Sequence, residues 1–278
     1  MAKLFEFERV VPAWLEATKS LALESSRTAR NYVLEIKSPS SLRPEDRAVI
    51  SAVDNVLRAT GDGIGVYTVA ATIFPQRLYA RHGCPAFYDK YLALMKKGQK
   101  PHTWGTYAMR LMSRPHPKKA ESINPLDTIV QKFRRSRTGT RKITSAYELG
   151  VHEPSDLVDG EVAGEVAGEV AGELAIYAPS SDGGLDTNIP CLSHLTFKLN
   201  PARDAVDLTA IYRSHYYGRR ALGNLIGLSQ LQSFVAAESG YAVGQLTCVS
   251  TLAKLDVEAF GGVGRTNALL ASLGAPPP

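Results

Sequence analysis

Cys191, Arg213, Ser214 and Asn224 crowd into one short stretch of the chain and carry the side chains best suited to chemistry. A cysteine acts as a nucleophile only as its thiolate, which needs positive charge or oriented donors close by. Cys191 follows Pro190 and a loop rich in Gly, Asp and Asn, and opens a segment of alternating apolar residues, which puts its thiol at the mouth of a sheet. Arg213 closes the next alternating segment. If the two strands pair through the polar turn at 200–204, the hairpin returns Arg213 to the Cys191 end. Arg213-Ser214 then offers a fork of N–H donors and a hydroxyl, a chemical match for a phosphate. Asn224 falls early in an apolar helical segment where packing asks for no amide, and its donor and acceptor can read one edge of a uracil or cytosine ring. Structural readings stand beside these: a small buried hydrophobe for Cys191, a surface ion pair for Arg213, a local cap or turn for Asn224.

The elements around these residues read as a mixture of helices and strands. Residues 192–199 and 205–213 alternate as two strands, 221–238 form a helix with Leu222, Leu225, Ile226, Phe234 and Val235 as its stripe, and 245–255 form a third strand. Upstream, 44–60 is an amphipathic helix with Pro44 in its first turn and Gly61 after its end. The first forty residues read as mostly helical with a break at Pro12, 63–74 as a buried strand, 87–98 and 125–135 as helices, and 142–149 as a strand. EVAG occurs three times in succession between Gly160 and Gly172. A four-residue period drifts about 40° per repeat around a helix, so no apolar face persists, and 155–187 is expected to be a surface loop. Residues 262–278 are expected to form a flexible tail, leaving a single domain over 1–278.

Composition narrows the class. The 278 residues are 44% hydrophobic and 21% charged, which is the profile of a globular domain, and the formal charge is +5. The basic excess gathers between Arg134 and Lys142 and suits a phosphate or polyanion, but no aromatic-basic interleaving accompanies it, which argues against a nucleic-acid reader. Three cysteines without a CxxC pair speak against a disulfide scaffold and against a metal site. No long uncharged apolar run suggests a membrane span, and the opening residues lack the layout of a signal peptide, so a cytoplasmic protein is expected.

Taken in order, Pro190-Cys191, Arg213-Ser214 and Asn224 resemble the thymidylate synthases, which carry a Pro-Cys nucleophile, an Arg-Ser phosphate pair and, downstream, an Asn that reads the pyrimidine. Asp127 with Arg141-Lys142 resembles the family's helix that ends before a basic pair, and 104–110 resembles its aromatic-Gly-Tyr-Arg segment. The likeness covers 104–149 and 189–256. It implies an α+β, thymidylate-synthase-like fold with a mixed β-sheet packed with helices. It further implies a pyrimidine nucleotide as substrate, methyl or hydroxymethyl transfer to C5 through a covalent Cys191 adduct, and 5,10-methylenetetrahydrofolate as the one-carbon donor. Arg141, Lys142, Arg213 and Ser214 would bind phosphate, with Arg141 reaching across a homodimer. Lys254 and Asp256 stand where the family grips the sugar with His and Tyr, and Tyr216 stands where it uses an Asp near the folate. The family's glutamate base has no counterpart in 63–80, leaving His215, Asp62 and Asp89 as substitutes. The chain also ends sooner after Cys191 than the family pattern, so nucleotide binding is expected to be better preserved than folate binding. The alternative reading is a non-catalytic pyrimidine nucleotide-binding homologue that has lost folate chemistry.

Overall fold

The computed structural model describes residues 2–60, 63–98, 105–115, 121–139, 173–176 and 190–273. In chain order these form β1 (Lys3–Phe7), α1 (Val10–Leu23), β2 (Thr28–Ile36), α2 (Pro44–Thr60), α3 (Val66–Ile73), α4 (Gln76–His82), α5 (Ala86–Gly98) and α6 (Tyr107–Met112). There follow a short ribbon of β3 (Arg114–Pro115) and β4 (Ser122–Ile123), then α7 (Pro125–Thr138) and β5 (Glu173–Ala175). The last part holds β6 (Leu192–Asn200), β7 (Ala205–Tyr212), β8 (His215–Tyr216), α8 (Ala221–Ser239), β9 (Ala242–Lys254), a 3-10 turn (Val257–Phe260) and α9 (Val263–Ser272). The sheet runs β1-β2-β9-β7-β6-β5, with β8 also against β9. Pairs β1/β2, β7/β9 and β8/β9 are parallel and the others in this sheet antiparallel. The architecture is therefore α+β, a mixed sheet packed with helices, as expected.

The helix α8 forms the centre of the core. It buries residues on every side, from Leu222 and Leu225 to Phe234 and Val235, rather than along one stripe. A helix enclosed all round must sit inside other layers. Here the sheet covers part of its surface and α3 covers another part. The segment 63–74, rich in β-branched residues, is the helix α3 rather than a strand. Its Val66, Val69, Ala70 and Ile73 recur at three and four and are buried, and tertiary packing overrides the local β preference. Two glycines let the helices touch: a Cβ on Gly223 would lie 2.6 Å from the Val66 carbonyl oxygen, and one on Gly227 would lie 2.7 Å from that of Ala70.

Three further expectations are corrected. The N-terminal region is strand, helix, strand, and Pro12 sits inside the first turn of α1, where a backbone N–H has no helical acceptor to lose. Within the expected loop 155–187, Glu173–Ala175 pairs with β6, Leu174 opposite Leu195, because that strand otherwise presents an open edge. Within the expected tail, Val263–Ser272 is a helix that buries Thr266 and Leu270, four residues apart on one face. The EVAG repeats and the expected strand 142–149 lie outside the described residues.

Replacing Gly223 by Ala should force α3 and α8 apart and lower stability by about 1–3 kcal/mol, read as a drop in the urea midpoint. Gly264→Ala is the control, since nothing lies within 4 Å of its added Cβ; a neutral Gly223→Ala would contradict the close helix contact.

Candidate active site

The register of three strands assembles the site. β6 and β7 pair with Leu192 opposite Tyr212, and β7 and β9 with Tyr212 opposite Ser250. After Arg213 and Ser214 the chain resumes beside β9 as β8, with His215 opposite Ala253 and Tyr216 opposite Lys254. The start of β6 and the ends of β7 and β9 thus share one end of the sheet. The expected hairpin forms: the Arg213 backbone N–H donates to the Cys191 carbonyl at 2.9 Å, and Arg213 Nε donates to the Pro190 carbonyl at 3.2 Å. The helix α8 starts at the same end, so Arg220 at its N-cap and Asn224 in its first turns face this corner.

A cavity of about 740 Å³ opens there, a size suited to small-molecule ligands. Cys191, Ser214, Tyr216, Asn224, Lys254 and Asp256, all picked out in the sequence, line it. Arg213 is not among its lining residues; the side chain is exposed and held on the Pro190 carbonyl. Arg141 and Lys142 lie outside the described residues. Of the three substitutes for the missing glutamate, His215 lines the cavity, Asp89 is exposed on α5 away from it, and Asp62 lies outside the described residues.

Asp256 ties the corner together. Its buried carboxylate accepts the Gly218 backbone N–H at 2.8 Å through one oxygen and Arg219 Nε at 2.6 Å through the other. A Cβ on Gly218 would stand 2.6 Å from the Asp256 carbonyl oxygen, so the approach needs glycine. Both carboxylate oxygens are therefore occupied in shaping the 218–220 loop. Lys254 Nζ lies 5.7 Å from the centre of the Tyr216 ring, a cation–π contact at the cavity wall.

Three side chains set the electrostatics. Burial pushes the half-buried Cys191 thiol up, and the guanidinium groups of Arg213 and Arg220 pull it back only in part. Tyr107 Oη accepts the Cys191 backbone N–H at 3.3 Å, and burial near that cysteine raises its phenol to about 12, so it stays protonated. His215 is fully buried and stacked on Tyr212, ring centres 4.0 Å apart and planes 4° from parallel. Its Nδ1 lies 2.9 Å from Ser250 Oγ and its Nε2 lies 3.1 Å from Asn224 Nδ2. Burial depresses its pKa to about 3, so the ring is neutral at physiological pH.

Sequence comparison meets this geometry from a different direction. No family model matches the chain. A protein of Methanococcoides burtonii named "Putative thymidylate synthase" is 35% identical over 79 residues, 28% of this chain and 35% of its own length. A protein of the same name from Methanosarcina acetivorans is 39% identical over 62 residues, 22% of this chain and 28% of its own. Over these stretches the chain is similar to proteins named "Putative thymidylate synthase". The matched stretches span only about a third of each relative's length.

Tyr107, Arg219, Arg220 and Glu258 also line the cavity and escape the sequence reading. A signal for two of them is present in the sequence. Arg219 and Arg220 stand immediately before a helix, where the dipole disfavours cations, so they are out of place for helix stability alone. Tyr107 lies in the segment read as family-like, but only the fold brings it to Cys191. Glu258 sits in a 3-10 turn that has no sequence periodicity. Much of the basic run on α7 is structural: Arg134 pairs with Glu238 at 2.6 Å, and Arg137 pairs with Asp204. Among the described residues, no group of three or more His, Cys, Asp or Glu could hold a metal ion, and no helix is long and apolar enough to cross a membrane.

Two pH responses follow. Below the ordinary His value of 6.5 the unfolded chain takes up a proton that the folded His215 refuses until about pH 3. Stability should therefore fall with pH across that window by about 1.4 kcal/mol per unit, and His215→Gln should remove this part of the slope in urea melts taken at several pH values. Separately, site-resolved alkylation of Cys191 should show a midpoint above the ordinary thiol value, and Arg220→Ala should move it further up, because a favourable cation is lost. An unmoved midpoint would remove Arg220 from the thiol's surroundings.

Proposed function

We propose that the cavity binds a pyrimidine nucleotide and that the protein transfers a one-carbon unit to C5 of its ring through a covalent adduct on Cys191. The observation that carries this is one cavity lined at once by a thiol, an amide and several cationic side chains: Cys191, Asn224, Arg219, Arg220 and Lys254. Cations and hydroxyl would hold the phosphate, the role assigned to Ser214 and Arg220 inside the cavity, with Arg213 at its rim and Arg141 and Lys142 joining from the partner subunit of a homodimer. Asn224 would read the ring edge.

In this scheme the Cys191 sulfur adds to C6 and the C5–C6 double bond breaks. Its electron pair moves to C5 and, by conjugation, to the oxygen or nitrogen at position 4, making C5 a carbon nucleophile. Fixing the phosphate holds C6 against the sulfur and turns a bimolecular encounter into a positioned one. Once C5 has formed its new bond, its proton leaves to a base and the one-carbon unit parts from its donor nitrogen, which keeps the electron pair. Addition of water would then complete a hydroxymethyl group, or of a hydride from the reduced folate a methyl group, and Cys191 departs as the double bond returns. The exposed Glu258 on the cavity wall is better placed for that proton than His215, whose basicity burial has removed. The chemistry of the donor side suits a folate: Tyr216 offers a flat ring, Lys254 a cation beside it, and the cavity exceeds what a nucleotide ring alone requires. A bound methylenetetrahydrofolate would supply the one-carbon unit at the methylene level.

A second reading, a nucleotide-binding homologue without turnover, draws support from the Cys191 thiol, which burial keeps protonated in the free protein. Release of label from C5-tritiated dUMP, UMP, dCMP and CMP separates the two. The transferase reading expects release from at least one of them, lowered at least about a hundredfold by Cys191→Ala. Binding without release supports the second reading, and no binding counts against both. Mixing Arg141→Ala with Cys191→Ala chains should restore release if the site is shared between subunits; failure to restore would remove Arg141 from the partner's site.

A further inference from the structure

We propose that a second cavity, between α8, α3 and the segment 39–42, is a binding site for an uncharged nucleoside. Its volume is about 260 Å³. That is below the range typical of drug-sized ligands and suits a single base with its sugar rather than a dinucleotide or a peptide. It shares no lining residue with the cavity that holds Cys191. The inference therefore does not depend on what that other cavity binds.

The floor is apolar: Val10 of α1 and Ile226 of α8 are 1% and 4% exposed. Around it stand Tyr67 from α3, Gln76 from α4 and Gln230 from α8. Among the described residues, none of these three side chains makes a hydrogen bond. The serines of the wall differ. Ser229 Oγ donates to the Pro39 carbonyl at 2.8 Å, and Ser233 Oγ donates to the Ser229 carbonyl at 2.8 Å. Each hydroxyl has spent its proton on the chain and keeps its oxygen as an acceptor. Helix periodicity puts these groups together: Ser229, Gln230 and Ser233 follow Ile226 by three, four and seven residues and so share one side of α8.

The described residues that line this cavity include no charged side chain. A phosphate or carboxylate moved out of water here would meet no compensating cation, so the occupant is neutral. Each glutamine amide offers two donors and an acceptor, the mixture found along the edge of a nucleobase. Tyr67, 45% exposed, presents a ring for a flat heterocycle to stack on. The serine oxygens can accept from sugar hydroxyls. A purely apolar ligand would leave both amides without partners, and a free sugar would gain little from the apolar floor.

Calorimetric titration of the full chain with uridine, cytidine, adenosine and guanosine tests this. At least one should bind with Kd below about 1 mM. Gln230→Leu and Gln76→Leu should each weaken that binding by about tenfold. Asn224→Asp, in the other cavity, should leave it unchanged. The two glutamines lie on different helices, so either variant carries the test if the other fails to fold. Absence of binding by all four nucleosides overturns the inference. So does a Kd that neither glutamine variant moves, or one that Asn224→Asp weakens while the glutamine variants do not, since the nucleoside would then sit beside Cys191. None of these results touches the reading of the Cys191 cavity, which label release from C5 decides separately.

Discussion

Everything at the site depends on how β7 is held between an antiparallel neighbour, β6, and a parallel one, β9. Side chains alternate along a strand, so a slip of one residue on either side would turn half of the site into the opposite face of the sheet. With Leu192 opposite Tyr212 and Tyr212 opposite Ser250, Cys191, Arg213 and Ser214 meet at one end, and Ser250 lies within reach of His215. The register is not perfectly regular. It shifts between Val206 and Leu208, where Gln232 on α8 donates to the carbonyls of Val206 and Gln245 and Asp207 accepts the Gln245 N–H. Buried polar groups thus satisfy the backbone that the irregularity leaves unpaired.

The cavity balances burial against charge. The same enclosure that brings Arg213 and Arg220 to bear on Cys191 also removes water from the thiol, and in the free protein burial is the larger effect. His215 shows the extreme of the same physics. Stacked and sealed, it has lost its use as an acid or base near neutrality and acts as a fixed hydrogen-bonding link. Asp256 is spent on the loop that carries Arg219, because a buried carboxylate needs donors on both oxygens. Residues that share a cavity therefore divide into those that face a ligand and those that hold them.

Much of the fold could be read along the chain where one periodicity dominates. The strands at 192–200, 205–212 and 242–254 and the helices at 44–60 and 125–138 show clear alternation or clear three-four spacing, and the structure agrees to within a few residues. Readings fail where local preference and packing disagree. The valines and isoleucine of α3 favour a strand in isolation, but two glycines on α8 open a groove that only a helix fills. The first strand carries little pattern in its five residues, and its place beside β2 comes from a long-range parallel pairing. The helix α9 is short and amphipathic only in relation to the surface it covers.

The sequence by itself determined the local chemistry: a thiol at a strand start, an arginine and serine at the end of the next strand, and an amide where a helix had no packing need for one. Those features depend on neighbours in the chain, so side-chain alternation and turn composition reveal them. Only the tertiary structure decided which cations enter the cavity, that Tyr107 reaches the Cys191 backbone from α6, and that Asn224 leans on a neutral histidine. These pairs are distant in sequence or depend on burial. Dielectric surroundings, close contacts between helices and buried side-chain hydrogen bonds exist only once β6, β7, β9 and α8 have come together.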